Sequence, residues 1–349
     1  MKLMIPFRGH IYVTHRNRIV GKIPEARRSI RLGQSFSYNR DKFGFGSNWF
    51  LTLRRFRVSK LFQSVIGSRI EGRITSWVTC YDFSFATAVE RSSVDMVLVG
   101  DSGAMVALGE NDTSPATMDD MIRFARSVRN GTHSKPIVGD MPRGSYEASD
   151  ITALDNAMRF CKEAGCEAVK LEGGGRVSKR VAAIVDAGIP TIGHIGLTPQ
   201  SASQLGGYRV VGRAEIEQEV LVRDALALEQ AGACAILVEA ALPSTAQAIR
   251  DNVALPIFGI GSGPSLDGQL LILHDLLGLY PSFRPKFAKN YVPEVMSGFF
   301  KFLTEEADLV TYGRETRRDG ILQLATRALD MFAEEVTSGA FPSEQYSYS

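Results

Sequence analysis

The stretch Asp95-Met96-Val97-Leu98-Val99-Gly100-Asp101-Ser102-Gly103-Ala104-Met105 is an apolar run that stops abruptly in a glycine, a carboxylate and a hydroxyl. Apolar and β-favouring residues bounded by turn formers predict a short strand buried on both faces. Asp101 then stands where that strand leaves its sheet. An acid in such a place is often only the cap of the next helix, but the pattern recurs. Ile137-Val138-Gly139 runs into Asp140, Ala168-Val169-Lys170-Leu171 into Glu172, Thr191-Ile192-Gly193 into His194, and Ala235-Ile236-Leu237-Val238 into Glu239. Four acids and a histidine close five apolar runs, and in a parallel α/β architecture those ends open on one face. A shared polar site follows.

Working outward from Ile74, strands are expected at Ser76–Tyr81, Met96–Gly100, Ile137–Asp140, Ala168–Glu172, Thr191–His194, Ala235–Glu239, Ile257–Ile260 and near Lys286–Ala288. Helical patterns separate most of them: Phe85–Ser92 with Asp82 as its cap, Met118–Asn130, Ile151–Ala164 capped by Asp150, Lys179–Ala187, Glu215–Gln230, Thr245–Asn252 and Leu266–Leu277. Eight strands in β-then-helix order predict a (β/α)8 TIM barrel, which needs about 250 residues. Ahead of it, Val58, Leu61, Phe62, Val65 and Ile66 lay one apolar stripe along a short helix suited to plugging the barrel end. Gly259-Ile260-Gly261-Ser262-Gly263 lacks the spacing of a dinucleotide fingerprint and reads as a tight turn at the barrel mouth.

Apolar residues make up 44% and charged residues 22% of the 349-residue chain, the composition of a soluble globular protein. Its charge is unevenly distributed. Residues 1–69 hold 15 Lys or Arg against Glu25 and Asp41, whereas the remainder holds 25 basic and 36 acidic side chains. An Arg- and Ser-rich, acid-poor leader without an apolar signal core predicts a mitochondrial presequence over 1–50, with a cytoplasmic protein carrying a disordered basic tail as the alternative. The catalytic domain is then 51–349, with an insertion at 292–318 that has apolar helix character at Val295–Leu303. Cys80, Cys161, Cys166 and Cys234 show neither a CxxC pair nor zinc spacing, which fits reduced thiols. No apolar run is long enough to span a membrane, and no nucleic-acid-binding motif accompanies the basic leader.

Taken together, Leu98-Val99-Gly100-Asp101-Ser102, Gly139-Asp140-Met141-Pro142, Val169-Lys170-Leu171-Glu172-Gly173-Gly174, Gly193-His194-Ile195-Gly196-Leu197-Thr198-Pro199-Gln200 and Pro285-Lys286-Phe287-Ala288-Lys289 resemble the ketopantoate hydroxymethyltransferase family. The likeness runs from about Val58 to Ser347, and the GHIGLTPQ stretch is its most specific part. It implies a (β/α)8 barrel, a homo-oligomer, a magnesium ion, and transfer of a one-carbon unit from 5,10-methylenetetrahydrofolate to the small 2-oxoacid 3-methyl-2-oxobutanoate. It further implies that Asp101 and Asp140 coordinate the metal with Glu172 completing or supporting the site. By the same resemblance Ser102, Tyr81 and Lys170 hold the oxoacid carboxylate, His194 flanks it, and Glu239 is the base.

Oxygen-only ligands suit a hard cation such as magnesium rather than zinc. Simpler readings stand beside the functional ones: Lys170 and Glu172, alternating on one strand face, also suit an interior ion pair, and His194 a satisfied core histidine. The chain departs from the family pattern at Gly109-Glu110-Asn111-Asp112-Thr113, at Arg143 and at Ala240-Ala241-Leu242-Pro243. Those departures leave room for another magnesium-dependent 2-oxoacid enzyme of the same barrel type, or for a catalytically weakened paralogue.

Overall fold

The computed structural model describes residues 59–205, 207–297 and 309–349. The expected presequence lies outside the described residues, as does most of the helix expected within the 292–318 insertion. Eight parallel strands close into a barrel in sequence order, β1 (Thr75–Thr79), β2 (Met96–Val99), β3 (Ile137–Asp140), β4 (Ala168–Glu172), β5 (Thr191–Gly196), β6 (Ala235–Glu239), β7 (Ile257–Ile260) and β8 (Gly268–Leu271). β1 pairs with β8 through Thr75 opposite Gly268 and Val78 opposite Leu271, so the sheet has no free edge.

Helix α1 (Lys60–Glu71) starts where the Ser59 hydroxyl accepts the Phe62 amide and ends at Gly72, whose φ of 68° is left-handed. Its Phe62, Val65 and Ile66 are fully buried. Arg69 donates to the carbonyls of Arg250 and Leu255, just ahead of β7, and Arg73 pairs with Asp95, just ahead of β2, at 2.8 Å. The amphipathic stripe therefore closes the N-terminal end of the barrel. Within that end, Trp77 and Phe258 pack at 4.2 Å between ring centroids. Polar chemistry is left to the opposite end.

The outer layer contains α2 (Phe83–Arg91), the single turn α3 (Gly103–Val106), α4 (Met118–Gly131), α5 (Asp150–Ala164), α6 (Ser178–Asp186), α7 (Glu215–Gln230), α8 (Pro243–Asn252), the single turn α9 (Leu273–Leu276) and α10 (Leu309–Ser338). Asp82 caps α2, accepting the Phe85 amide at 3.0 Å. For α5 the cap is Ser149 rather than Asp150: the Ser149 hydroxyl accepts from the Thr152 amide, and Asp150 is the first helical residue.

Two expectations near the C-terminal part of the barrel are corrected. The eighth strand is Gly268–Leu271, not the segment near Lys286–Ala288, and the expected helix Leu266–Leu277 shrinks to α9. Leu270-Leu271-Ile272-Leu273 suits either period, because a short apolar run is ambiguous. The open bonding edges of β1 and β7 decide it, pairing with Gly268–Leu271 and Gly268–Gln269. Helix α10 then takes the outer position against α2, burying Ala325, Ala328, Leu329 and Phe332.

Candidate active site

Side chains alternate along a strand, so Asp140, Lys170 with Glu172, His194 and Glu239 all enter the barrel from β3, β4, β5 and β6. Register brings them together: Asp140 lies opposite Lys170, and Glu172 opposite His194. Lys170 Nζ is 2.8 Å from Asp140 Oδ1, 3.1 Å from His194 Nδ1 and 3.8 Å from Glu172 Oε1. His194 Nε2 faces Glu239 Oε2 at 3.2 Å. Asp101 joins from the end of β2, its amide donating to Asp140 Oδ2 at 3.0 Å.

Burial sets the electrostatics. It pushes the Asp101 and Asp140 carboxyls above the ordinary range, and neighbouring acids add to the effect. Glu172 rises to about 6 because burial outweighs the pull of Lys170. For Lys170, burial is overcome by Asp140, Glu172 and Asp101, which hold its ammonium charged. Lys170 is thus an interior ion pair, but one ammonium faces three carboxylates. The excess negative charge in a desolvated space favours a bound cation. Burial and the Lys170 charge lower the His194 pKa, so the ring is neutral near pH 7. Its Nδ1 faces both the Lys170 ammonium at 3.1 Å and Glu172 Oε1 at 3.2 Å, and its Nε2 faces Glu239 Oε2 at 3.2 Å. Burial also raises the Glu239 carboxyl, increasing its basicity.

The backbone aims Glu239 into this space. Gly196, at φ 94°, could carry no side chain, since a Cβ there would lie 2.3 Å from the Glu239 carbonyl oxygen. Ala240 follows at φ 46°, left-handed and uncommon for alanine. Strain beside a candidate base marks a position fixed by its surroundings; here the Ala240 amide is held by the Ile260 carbonyl at 2.9 Å.

These groups floor a cavity of about 350 Å³ whose walls include Ser102, Met105, Leu237, Ile260, Asp275, Tyr280, Phe283, Phe287 and Tyr348. Tyr81 does not line it. Its hydroxyl bonds Thr79 Oγ1 at 2.7 Å and Ser102 Oγ at 2.8 Å, supporting Ser102 from behind. Asp140 Oδ1 and Glu172 Oε1 are buried without a well-aligned hydrogen bond. Oxygen atoms so placed fit a hard cation. Among the described residues no group of three or more His, Cys, Asp or Glu side chains is arranged to hold a metal ion by itself.

A family model described as ketopantoate hydroxymethyltransferase matches residues 62–298. The chain belongs to that family. Proteins named 3-methyl-2-oxobutanoate hydroxymethyltransferase are 42% identical over 273 residues in Alkaliphilus metalliredigens, covering 78% of this chain and 87% of the relative. The Heliobacterium modesticaldum relative of that name is 46% identical over 248 residues, covering 70% and 90%. Among solved structures, a phosphonopyruvate hydrolase superposes with a TM-score of 0.52 at 15% identity, over 79% of this chain and 97% of its own. That likeness concerns the barrel fold alone.

Within this ketopantoate hydroxymethyltransferase site, sequence reasoning assigned no task to Gln200. Its amide N–H donates to Glu172 Oε2 at 3.0 Å. Its Nε2 donates to Asp101 Oδ2 and to the Met141 carbonyl, both at 2.9 Å, and its Oε1 accepts from the Tyr146 hydroxyl at 2.7 Å. One side chain therefore ties together the loops after β2, β3 and β5. Its place at the end of GHIGLTPQ was the available signal. Of the departures from the family pattern, Arg143 lines a separate cavity with Tyr146, Arg176 and Arg180, whereas Ala240 touches the main one.

Proposed function

We propose that this protein transfers a hydroxymethyl group from 5,10-methylenetetrahydrofolate to 3-methyl-2-oxobutanoate, giving 2-dehydropantoate for pantothenate biosynthesis. One observation carries the site assignment beyond family membership. Three buried carboxylates and a lysine stand on one side of the barrel mouth, and Glu239, of raised basicity, stands across His194 from them.

Asp101 and Asp140 are the proposed magnesium ligands, with Glu172 held by Gln200 as support. Held there, a magnesium ion would supply Lewis-acid polarisation of the oxoacid carbonyl, which would make the C3 proton more acidic. Lys170 and Ser102 orient the oxoacid carboxylate. Glu239 takes the C3 proton while the His194 ring, 3.2 Å away, positions the carboxylate that receives it. The methylene carbon gains a bond to C3 from the C3 electron pair and a bond to a water oxygen as both of its bonds to the folate nitrogens break, and the C3 proton and one water proton end on those nitrogens, releasing tetrahydrofolate.

A mitochondrial location directed by residues 1–50, and a homo-oligomeric state, remain part of the proposal. The acid-poor, basic leader supports the first, and family membership supports the second. The functional reading is tested by incubating the protein with 3-methyl-2-oxobutanoate, magnesium and methylenetetrahydrofolate. 2-Dehydropantoate should form only when all three are present; product formation without the folate, or none with it, would refute the assignment.

A further inference from the structure

Asp275 is a buried carboxylate that the chemistry above does not use. It lies on α9, directly after β8, where the Leu273 amide is pinned by Thr79 Oγ1 at 3.1 Å and where Leu273 and Leu276 are fully buried. His274 turns toward Tyr81 and Phe85, at centroid distances of 5.5 and 6.2 Å. The next side chain, Asp275, faces the cavity beside Tyr280, Phe283, Phe287 and Tyr348. It is 4% exposed, yet its carboxylate makes no hydrogen bond or close ion pair among the described residues.

That isolation sets it apart. Buried Asp267 is paired with Arg250 and accepts the Ile257 amide, Asp140 has Lys170, and Asp101 has Gln200. Burial pushes the Asp275 carboxyl up to about 6, with Arg284 drawing it back; it is still mostly ionised near pH 7. A carboxylate that lines a cavity and accepts from no protein donor is open to donors that a ligand brings. Its surroundings describe that ligand. The wall is aromatic and includes a T-shaped Phe287–Tyr348 pair at 6.1 Å, suited to a flat ring. The carboxylate accepts two adjacent N–H groups side by side.

We propose that Asp275 binds the amino-pyrimidine edge of the one-carbon donor's pteridine ring, whose ring N–H and exocyclic amine are such a donor pair. This rests on the function proposed above. It places the donor against β8, α9 and the C-terminal segment, and leaves the β2–β6 side of the mouth to the oxoacid.

The test uses the full-length protein with magnesium, and three readouts: calorimetric binding of tetrahydrofolate, KM for methylenetetrahydrofolate, and folate-free exchange of the C3 hydrogen of 3-methyl-2-oxobutanoate in heavy water. Asp275→Asn, which keeps the shape and turns a donor toward the ring, should weaken tetrahydrofolate binding and raise the donor KM by about 10–100-fold, the scale of a lost charged hydrogen bond. Exchange should continue at the wild-type rate. Unchanged tetrahydrofolate affinity in both Asp275→Asn and Asp275→Ala would overturn the proposal, as would loss of exchange with binding retained. A wild-type protein that neither exchanges the C3 hydrogen nor binds tetrahydrofolate would refute the transferase reading itself, and the Asp275 assignment with it.

Discussion

The two sides of the barrel mouth are built by different rules. On the β2–β6 side each functional group sits within a strand or just beyond its end, at a position dictated by alternation and register: Asp140 opposite Lys170, Glu172 opposite His194. On the other side Asp275, Phe287 and Tyr348 come from a single helical turn, a loop and the chain's last residues. That rim is tied by long-range contacts, such as Lys286 Nζ to the Ser347 carbonyl at 2.6 Å and Arg213 to the Ser349 carbonyl at 3.3 Å. The contrast suggests a division of labour, with proton removal on the strand side and donor binding on the rim.

Disrupting the strand side should have the largest effect. Asp101→Asn or Asp140→Asn each removes a charged oxygen from the proposed cation site, where Lewis-acid assistance contributes several kcal/mol. Turnover and C3 exchange should fall together, on the order of 10³-fold, with magnesium affinity reduced in titration calorimetry. Undiminished exchange in Asp101→Asn protein treated with EDTA would remove the metal from the account. Gln200→Ala is next: groups that orient metal ligands typically matter about 10–100-fold in affinity or activity. Magnesium-dependent exchange measured across a metal titration should show that loss, and a change confined to donor KM would place Gln200 on the wrong side of the division.

A rim substitution should separate the two sides. In Tyr348→Ala the donor KM should rise several-fold, because base- or ring-stacking on an aromatic is worth about 1–3 kcal/mol, while folate-free exchange stays intact. Equal losses in both assays would erase the distinction. The smallest effect is expected from deleting residues 1–50, none of which belongs to the motifs that carry the family resemblance. The truncated enzyme should keep its specific activity, and a fluorescent fusion to the leader should enter mitochondria; a cytosolic fusion would reject the presequence.

Legibility in the sequence follows the same division. Short apolar runs ending in Asp101, Asp140, Glu172, His194 and Glu239 expose both the barrel and its polar mouth, because a parallel strand carries its periodicity and its end within a few residues. Gly268–Leu271 escaped notice because its leucines fit a helix equally well, and only pairing with β1 and β7 selects a strand. Gln200 and Asp275 are single polar residues in apolar or turn-rich contexts. Their importance comes from partners 28 to 99 residues away in the case of Gln200, and for Asp275 from the absence of partners, neither of which a local pattern records. Tyr81 shows the converse: the family resemblance drew it into the expected site, whereas its hydroxyl bonds Ser102 and it does not line the cavity.

Glu239 is the point on which the account depends, and exchange of the C3 hydrogen of 3-methyl-2-oxobutanoate in heavy water isolates its task from folate altogether. Wild-type protein with magnesium should catalyse the exchange, faster as pH rises through the elevated Glu239 pKa, since the base acts when deprotonated. Glu239→Gln should lose about 10²–10⁴-fold of that rate with oxoacid binding retained. Full exchange in Glu239→Gln would contradict the assignment and pass the proton to another group, His194 being the nearest at 3.2 Å.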